Sequence, residues 1–74
     1  MSNKDVVREE IEGVISQNFG DKVGRIFSDA YDKEIMPIFL HNAFLLLKDL
    51  LGVDKARETL NSILTKHDAF VAYE

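Results

Sequence analysis

The chain has no cysteine, no tryptophan and a single proline among its 74 residues. The absence of cysteine excludes disulfide bonds and thiolate metal ligands, and two histidines are too few to form a structural zinc site. A domain of this length buries only about 60% of its unfolded surface and commonly needs a further source of stability. We therefore predict one helical domain over residues 1–74, without metal or cofactor, that is stabilised by self-association.

Positive charge is also scarce, because nine basic residues stand against thirteen acidic ones and the net charge is −4. The lysines and arginines form no cluster of the kind that phosphate backbones attract, which disfavours a nucleic-acid partner. The longest uncharged run, residues 35–47, is shorter than the about 20 apolar residues that cross a bilayer. The N-terminal residues lack the apolar core of a signal peptide. We expect a soluble, cytoplasmic protein with no membrane partner.

The most apolar part of the chain is the stretch Ile35–Leu51, whose only polar residues are His41, Asn42, Lys48 and Asp49. On a helical wheel at about 100° per residue, most of its apolar side chains fill one half of the circumference. Ile38 and Leu45 lie on the other half, between two narrow polar wedges. A helix that is apolar on almost all sides is buried at the centre of an assembly. In so short a chain, that assembly can include a second copy.

Apolar residues at three- and four-residue spacing predict three further helices. The four predicted helices cover about residues 3–18, 22–33, 36–51 and 54–67. Pro37 marks the start of the third helix, Gly20 and Gly52 end the helices before them, and Asp21 and Asp54 are the predicted N-caps of the helices that follow. We predict an all-α fold, a small four-helix bundle with the third helix at its centre. The apolar tail, residues 68–74, is expected to dock on the bundle or on a partner.

Two glycine positions bear on helix packing. Gly13 interrupts the first predicted helix, where it is either tolerated at a cost of roughly 1 kcal/mol or marks a close helix crossing. Gly20 and Gly24 form a GxxxG pattern, but that pattern marks helix contacts mainly in membranes, so we assign it no packing role here.

No arrangement of side chains in the sequence indicates catalysis or ligand binding, and we predict that the protein is not an enzyme. The sequence favours a non-catalytic protein–protein interaction module, a homodimeric adaptor or regulatory subunit that presents a helical groove to another protein. Contiguous exposed apolar side chains on a soluble protein mark such interfaces. The predicted interface residues are Met36, Ile38, Phe44, Leu45, Phe70 and Tyr73.

His41 supports an alternative function. The segment from His41 to Gly52 places a histidine on a bundle helix ahead of an apolar run and a helical hairpin. This segment resembles the dimerisation and phosphotransfer helices of two-component systems, which implies that His41 is a phosphoacceptor. The acidic neighbour and the downstream proline of many sensor kinases are missing, and an ATP-binding domain does not fit in the chain.

The tight turn at Gly52 permits a third hypothesis, a helix-turn-helix DNA-binding protein. The helix after Gly52 would supply the polar contacts Lys55, Arg57, Asn61, Thr65 and Lys66. Asp54, Glu58 and the acidic total oppose this hypothesis, since phosphate contacts provide most non-specific affinity.

Overall fold

The computed structural model describes residues 3–67, and it confirms the predicted all-α four-helix bundle. The helices are α1 (Asn3–Phe19), α2 (Asp21–Tyr31), α3 (Met36–Leu51) and α4 (Val53–Lys66). Within residues 3–67 there is no β-strand. Compared with the sequence prediction, α2 begins one residue earlier and ends two residues earlier, and α4 is displaced by one residue toward the N-terminus.

The bundle is built from two helical hairpins. α1 packs mainly against α2, and α3 packs mainly against α4. The two hairpins meet through α1, which contacts both α3 and α4, whereas α2 packs chiefly on α1 alone. α2 also contacts α3 through the rings of Phe27 and Phe39.

A single glycine joins the helices of each hairpin, and both glycines have a positive φ. Gly20 has φ 100° and ψ 153°, and Gly52 has φ 89° and ψ 159°. The predicted N-caps are therefore wrong, because the glycines hold the N-cap position and Asp21 and Asp54 lie inside the first turns of α2 and α4. A helix commonly ends with a residue of positive φ, and an N-cap residue has an extended ψ. Each glycine has both the positive φ that ends one helix and the extended ψ that begins the next, so no separate N-cap residue is needed.

The core is apolar throughout and collects side chains from all four helices. α3 contributes more of them than any other helix, and α2 contributes a single large side chain, Phe27, whose ring lies 5.3 Å from that of Phe39. The buried apolar residues are Val7, Ile11, Ile15, Phe27, Met36, Phe39, Leu40, Ala43, Phe44, Leu47, Ala56, Leu60, Ile63 and Leu64. Complete burial of one such large side chain is worth about 1.5–3 kcal/mol, and α3 supplies six of these fourteen residues.

α1 and α2 lie close together at Gly24, which is buried. A Cβ atom on Gly24 would lie 1.9 Å from Ser16 Oγ, 3.0 Å from Ser16 Cβ and 3.2 Å from the Glu12 carbonyl oxygen. Gly24 of the GxxxG pattern therefore has a packing role that the sequence analysis did not assign to it, whereas a Cβ atom on Gly20 would meet no atom within 4 Å. Gly13 is different, because a Cβ atom there would meet no atom within 4 Å. Of the two alternatives for Gly13, the structure supports tolerance.

Arg8 connects α1 to the end of α2 and to α3. Its guanidinium group donates one hydrogen bond to the Tyr31 carbonyl oxygen at 3.1 Å and another to the Glu34 carbonyl oxygen. It also lies over the Phe39 ring, 4.7 Å from the ring centre. The last turn of α2 contains no basic residue, so Arg8 supplies from another helix the cation that a helix C-terminus favours.

Candidate interaction surface

The side of α3 that faces away from the core carries exposed apolar residues. Ile38 is 42% exposed and Leu45 is 37% exposed, and Ile35, at the N-cap of the helix, is 64% exposed. We call these three residues the α3 outer face. On the helical wheel, Ile38 and Leu45 lie opposite Leu40 and Leu47, which are fully buried. The periodicity of the sequence had indicated this separation of the two sides.

Polar side chains border the α3 outer face. On the helical wheel His41 is exposed on one side of Ile38 and Leu45, and Asn42 lies on their other side, toward Ile35, where its Nδ2 atom donates a 2.8 Å hydrogen bond to the Ile38 carbonyl oxygen. This bond to its own helix fixes the amide, so Asn42 does not need a partner molecule to satisfy that donor. An apolar strip with a polar border is the common arrangement at protein interfaces.

Two of the predicted interface residues lie elsewhere. Met36 is 4% exposed and Phe44 is 8% exposed, and both belong to the core of this chain. Phe44 packs beneath α4, where the Arg57 guanidinium lies 5.9 Å from its ring centre. The correction follows from their positions on the wheel, because both residues lie on the wide apolar arc that α1 and α4 cover. Phe70 and Tyr73, the two predicted interface residues of the apolar tail, lie outside the described residues.

α2 exposes a second set of apolar side chains. Ile26 is 59% exposed, Val23 is 36% exposed, and Ala30 is exposed as well. We call these three residues the α2 stripe. The pattern of the sequence assigns them to the same apolar face as Phe27, yet Phe27 alone among the large apolar residues of α2 is buried. Phe27 lies on the part of that face that meets Phe39 of α3, and the α2 stripe lies on the exposed part.

The outer face of α4 is polar and carries both signs of charge. It forms a shallow depression lined by Asp54, Arg57, Glu58, Asn61, Ser62, Thr65 and Lys66. Four of the proposed DNA contacts, Arg57, Asn61, Thr65 and Lys66, lie here beside two carboxylates. Lys66 is also bound by Glu10 of α1 at 3.1 Å. This arrangement opposes the close approach of a phosphate backbone.

Glu10 connects α1 to the end of α4. Its Oε1 atom accepts a hydrogen bond from Lys66 Nζ at 3.1 Å and lies 3.0 Å from His67 Nε2. The hydrogen bond with His67 is the main cause that lowers the pKa of Glu10, and the Lys66 ammonium lowers it further, against a smaller opposing effect of burial. The three side chains are partly exposed, which indicates a link between helices and not a buried catalytic centre.

A second depression, between α1 and α2, is lined by Asp5, Arg8, Glu9, Glu12, Ser28 and Asp32. Its carboxylates do not come together as metal ligands, and the same holds for every group of histidine, aspartate and glutamate in the described part of the chain. Arg8 is engaged with carbonyl oxygens of residues 31 and 34. Hydroxyl and carboxylate side chains line both depressions, but no histidine, a common activating base of serine nucleophiles, lines either of them.

Comparison of the chain with protein-family models, with curated proteins and with solved structures finds no match. None of the helices within residues 3–67 has the length and apolarity needed to cross a membrane. Within the described residues, the features that bear on function are the two exposed apolar surfaces, the α3 outer face and the α2 stripe.

Proposed function

We propose that this protein is a non-catalytic helical interaction module that forms a homodimer through the α3 outer face and acts as an adaptor or regulatory subunit. The observation that carries the proposal is the exposure of Ile38 and Leu45 on the helix that supplies more buried residues than any other. Soluble proteins rarely leave contiguous apolar side chains uncovered unless those side chains bind something. A two-fold axis beside α3 would cover the same residues on both copies.

The expected strength of the dimer follows from the area available. Covering the exposed parts of Ile35, Ile38 and Leu45 in both copies would contribute roughly 5 kcal/mol, at about 1.5–3 kcal/mol for a fully buried side chain. Association costs about 4–15 kcal/mol. A stable interface also buries about 800 Å² per partner, about a sixth of the 4761 Å² surface of this chain. The polar residues beside the α3 outer face must therefore also be buried in the dimer interface. We expect a weak dimer that dissociates on dilution.

Light scattering over a dilution series tests this proposal. We expect the native chain to have the mass of a dimer at high concentration and of a monomer at low concentration. Leu45→Asp should be a folded monomer at every concentration, because it places a charge in the α3 outer face, where the two copies would meet. Ile26→Asp is the matched control, since it puts the same charge on a more exposed residue of α2 and should leave the native mass unchanged. A native chain that is monomeric at every concentration would refute the homodimer.

The exposure of His41 favours histidine phosphotransfer as a second candidate function, since a phosphoacceptor must be accessible to its donor. Incubation with a small-molecule phosphodonor, followed by mass spectrometry under alkaline conditions, tests it. Phosphorylation that is lost in His41→Gln and retained in His67→Gln would support this function. Absence of phosphate from the native chain, next to a phosphorylated histidine protein as a positive control, would exclude this transfer from the tested donor.

A further inference from the structure

The two sides of the α3 outer face carry opposite charges. α3 contains one lysine and one aspartate, and no other lysine, arginine, aspartate or glutamate. On the helical wheel Lys48 lies about 60° from Leu45, on the side of His41. Asp49 lies about 40° from Leu45 on the other side, which is that of Asn42. Because Lys48 and Asp49 are adjacent in the sequence, they lie at almost the same height along the helix.

Both charges can reach a partner molecule. Lys48 is partly exposed and Asp49 is exposed, and neither forms an ion pair within residues 3–67. On the Lys48 side, α4 brings the guanidinium of Arg57 to 5.9 Å from the ring centre of Phe44, one helical turn before Lys48. The carboxylates of α4 nearest to Arg57 in the chain line the depression on the outer face of that helix. Lys48 is therefore the charge of α3 that borders the α3 outer face on this side.

Opposite charges on the two sides make the α3 outer face complementary to itself. When two copies of α3 pack in parallel about a two-fold axis that runs along the helices, the Lys48 side of each copy faces the Asp49 side of the other. Ile38 and Leu45 then meet the same residues of the second copy. Charge pairs flank the apolar contacts, as they do in parallel coiled coils. In an antiparallel pair like sides face each other, so Lys48 of one copy faces the Lys48 side of the other.

We propose that two copies of this chain pair through parallel α3 helices, with Lys48 of each copy bound to Asp49 of the other. This inference rests on the proposed homodimer and adds its orientation and the charges that set it. A different protein would need an apolar strip with a negative charge on one side and a positive charge on the other at the same height. A second copy has this arrangement by symmetry.

Charge reversal tests the ion pairs. Lys48→Glu brings two acids together at each pair, and Asp49→Lys brings two lysines together. Each variant alone should therefore dimerise about tenfold more weakly than the native chain at low salt. An equimolar mixture of the two variants should dimerise as the native chain does, because each supplies the charge that the other lacks. The double variant should also dimerise as the native chain does, and added salt should reduce all these differences. Light scattering over a dilution series measures them.

A matched pair of variants controls for net charge. Lys22→Glu and Asp29→Lys make the same two changes of charge at exposed positions of α2. Alone or mixed, they should dimerise as the native chain does. Circular dichroism confirms that every variant keeps its helix content.

Disulfide trapping measures the orientation directly. The chain has no cysteine, so the single thiol of Ile38→Cys or of Leu45→Cys can link only two copies. In the parallel dimer each variant should form a linked dimer by itself under mild oxidation, because each position meets its own copy. In an antiparallel dimer centred between the two positions, equivalent thiols would be about 10 Å apart along the helix axis. This separation is too large for a disulfide bond, and links would form only in a mixture of the two variants.

The outcomes separate this inference from the homodimer on which it rests. A native dimer whose charge-reversed variants dimerise no better mixed than alone would overturn the parallel pairing and leave the homodimer standing. So would disulfide links that form only in the mixture of Ile38→Cys and Leu45→Cys. A native chain that is monomeric at every concentration would overturn both proposals.

Discussion

At the scale of single residues, Gly13 and Gly24 lie on paired helices but should respond oppositely to alanine. Gly24→Ala introduces a Cβ atom 3.2 Å from a backbone oxygen and still closer to Ser16, and overpacking of this kind costs about 1–3 kcal/mol. Gly13→Ala meets open space and gains roughly 1 kcal/mol of helix propensity.

Thermal unfolding followed by circular dichroism checks this pair. Since about 1 kcal/mol corresponds to roughly 4–8 °C in a domain of this size, we expect Gly13→Ala to raise Tm by up to that amount. Gly24→Ala should lower Tm by a similar amount after its own propensity gain is subtracted. If Gly24→Ala stabilises the protein as Gly13→Ala does, then Ser16 turns away without cost and the crossing is not tight.

Glu10 should make stability depend on pH. Its pKa is lower in the folded chain than its ordinary value, chiefly because of the hydrogen bond with His67. A group with a lowered pKa contributes stability that is fully present above its unfolded pKa and is lost as the pH falls through the folded pKa. The contribution should therefore be present at neutral pH, begin to fall near the ordinary glutamate pKa of about 4.3, and be lost as the pH passes below it through the lowered pKa of the folded chain.

The measurement is the difference in Tm between the native chain and Glu10→Gln over this pH range. We expect the native chain to be more stable at neutral pH and the two proteins to converge in acid. Glu9→Gln is the control, because Glu9 is an exposed neighbour on the same helix and should give no such change. A difference between the native chain and Glu10→Gln that stays constant across the range would contradict the role assigned to the carboxylate.

At the scale of the helices, the single-residue joints should tolerate only glycine. Gly52 combines φ 89° with ψ 159°, a region that other residues almost never adopt and that costs them about 1–3 kcal/mol. Asparagine often replaces glycine at helix ends, but it does so in the left-handed helical region, where ψ is near +47°. We therefore expect Gly52→Asn to be about as destabilising as Gly52→Ala in urea-induced unfolding. A clearly milder effect of asparagine would indicate that the joint relaxes to the ordinary left-handed conformation.

The helices themselves could be predicted from the sequence because their signals are local. Pro37 fixes the start of α3, and Gly52 fixes its end. The conformation of Gly52 could not be predicted in full, since one residue serves there as the end of one helix and the start of the next. Arg8 shows a different limit, because its partners lie 23 and 26 residues away in the chain, and spacing along one helix does not reveal them.

At the scale of the whole molecule, the sequence predicted that α3 would be apolar on nearly every side and that Ile38 and Leu45 would lie opposite its core. The hydrophobic period contains this information directly. It does not say which part of an apolar face other helices cover, so on α2 it does not separate Phe27 from the residues of the α2 stripe. Phe27 is buried where it meets Phe39 of α3, whereas Ile26, about 100° away around the helix, is exposed.

The two glycine joints also bear on how fast the chain folds. Each hairpin brings together helices that are adjacent in the sequence, separated by one residue, and these two pairs make most of the helix contacts. Helical proteins dominated by such local contacts typically reach the folded state within microseconds to milliseconds, because little loop-closure entropy is lost before contacts form. Each hairpin can thus assemble early, and the docking of α1 onto α3 and α4 remains as the late step. Until α1 docks, the apolar side chains of α3 are exposed, and during synthesis they can contact other chains nearby.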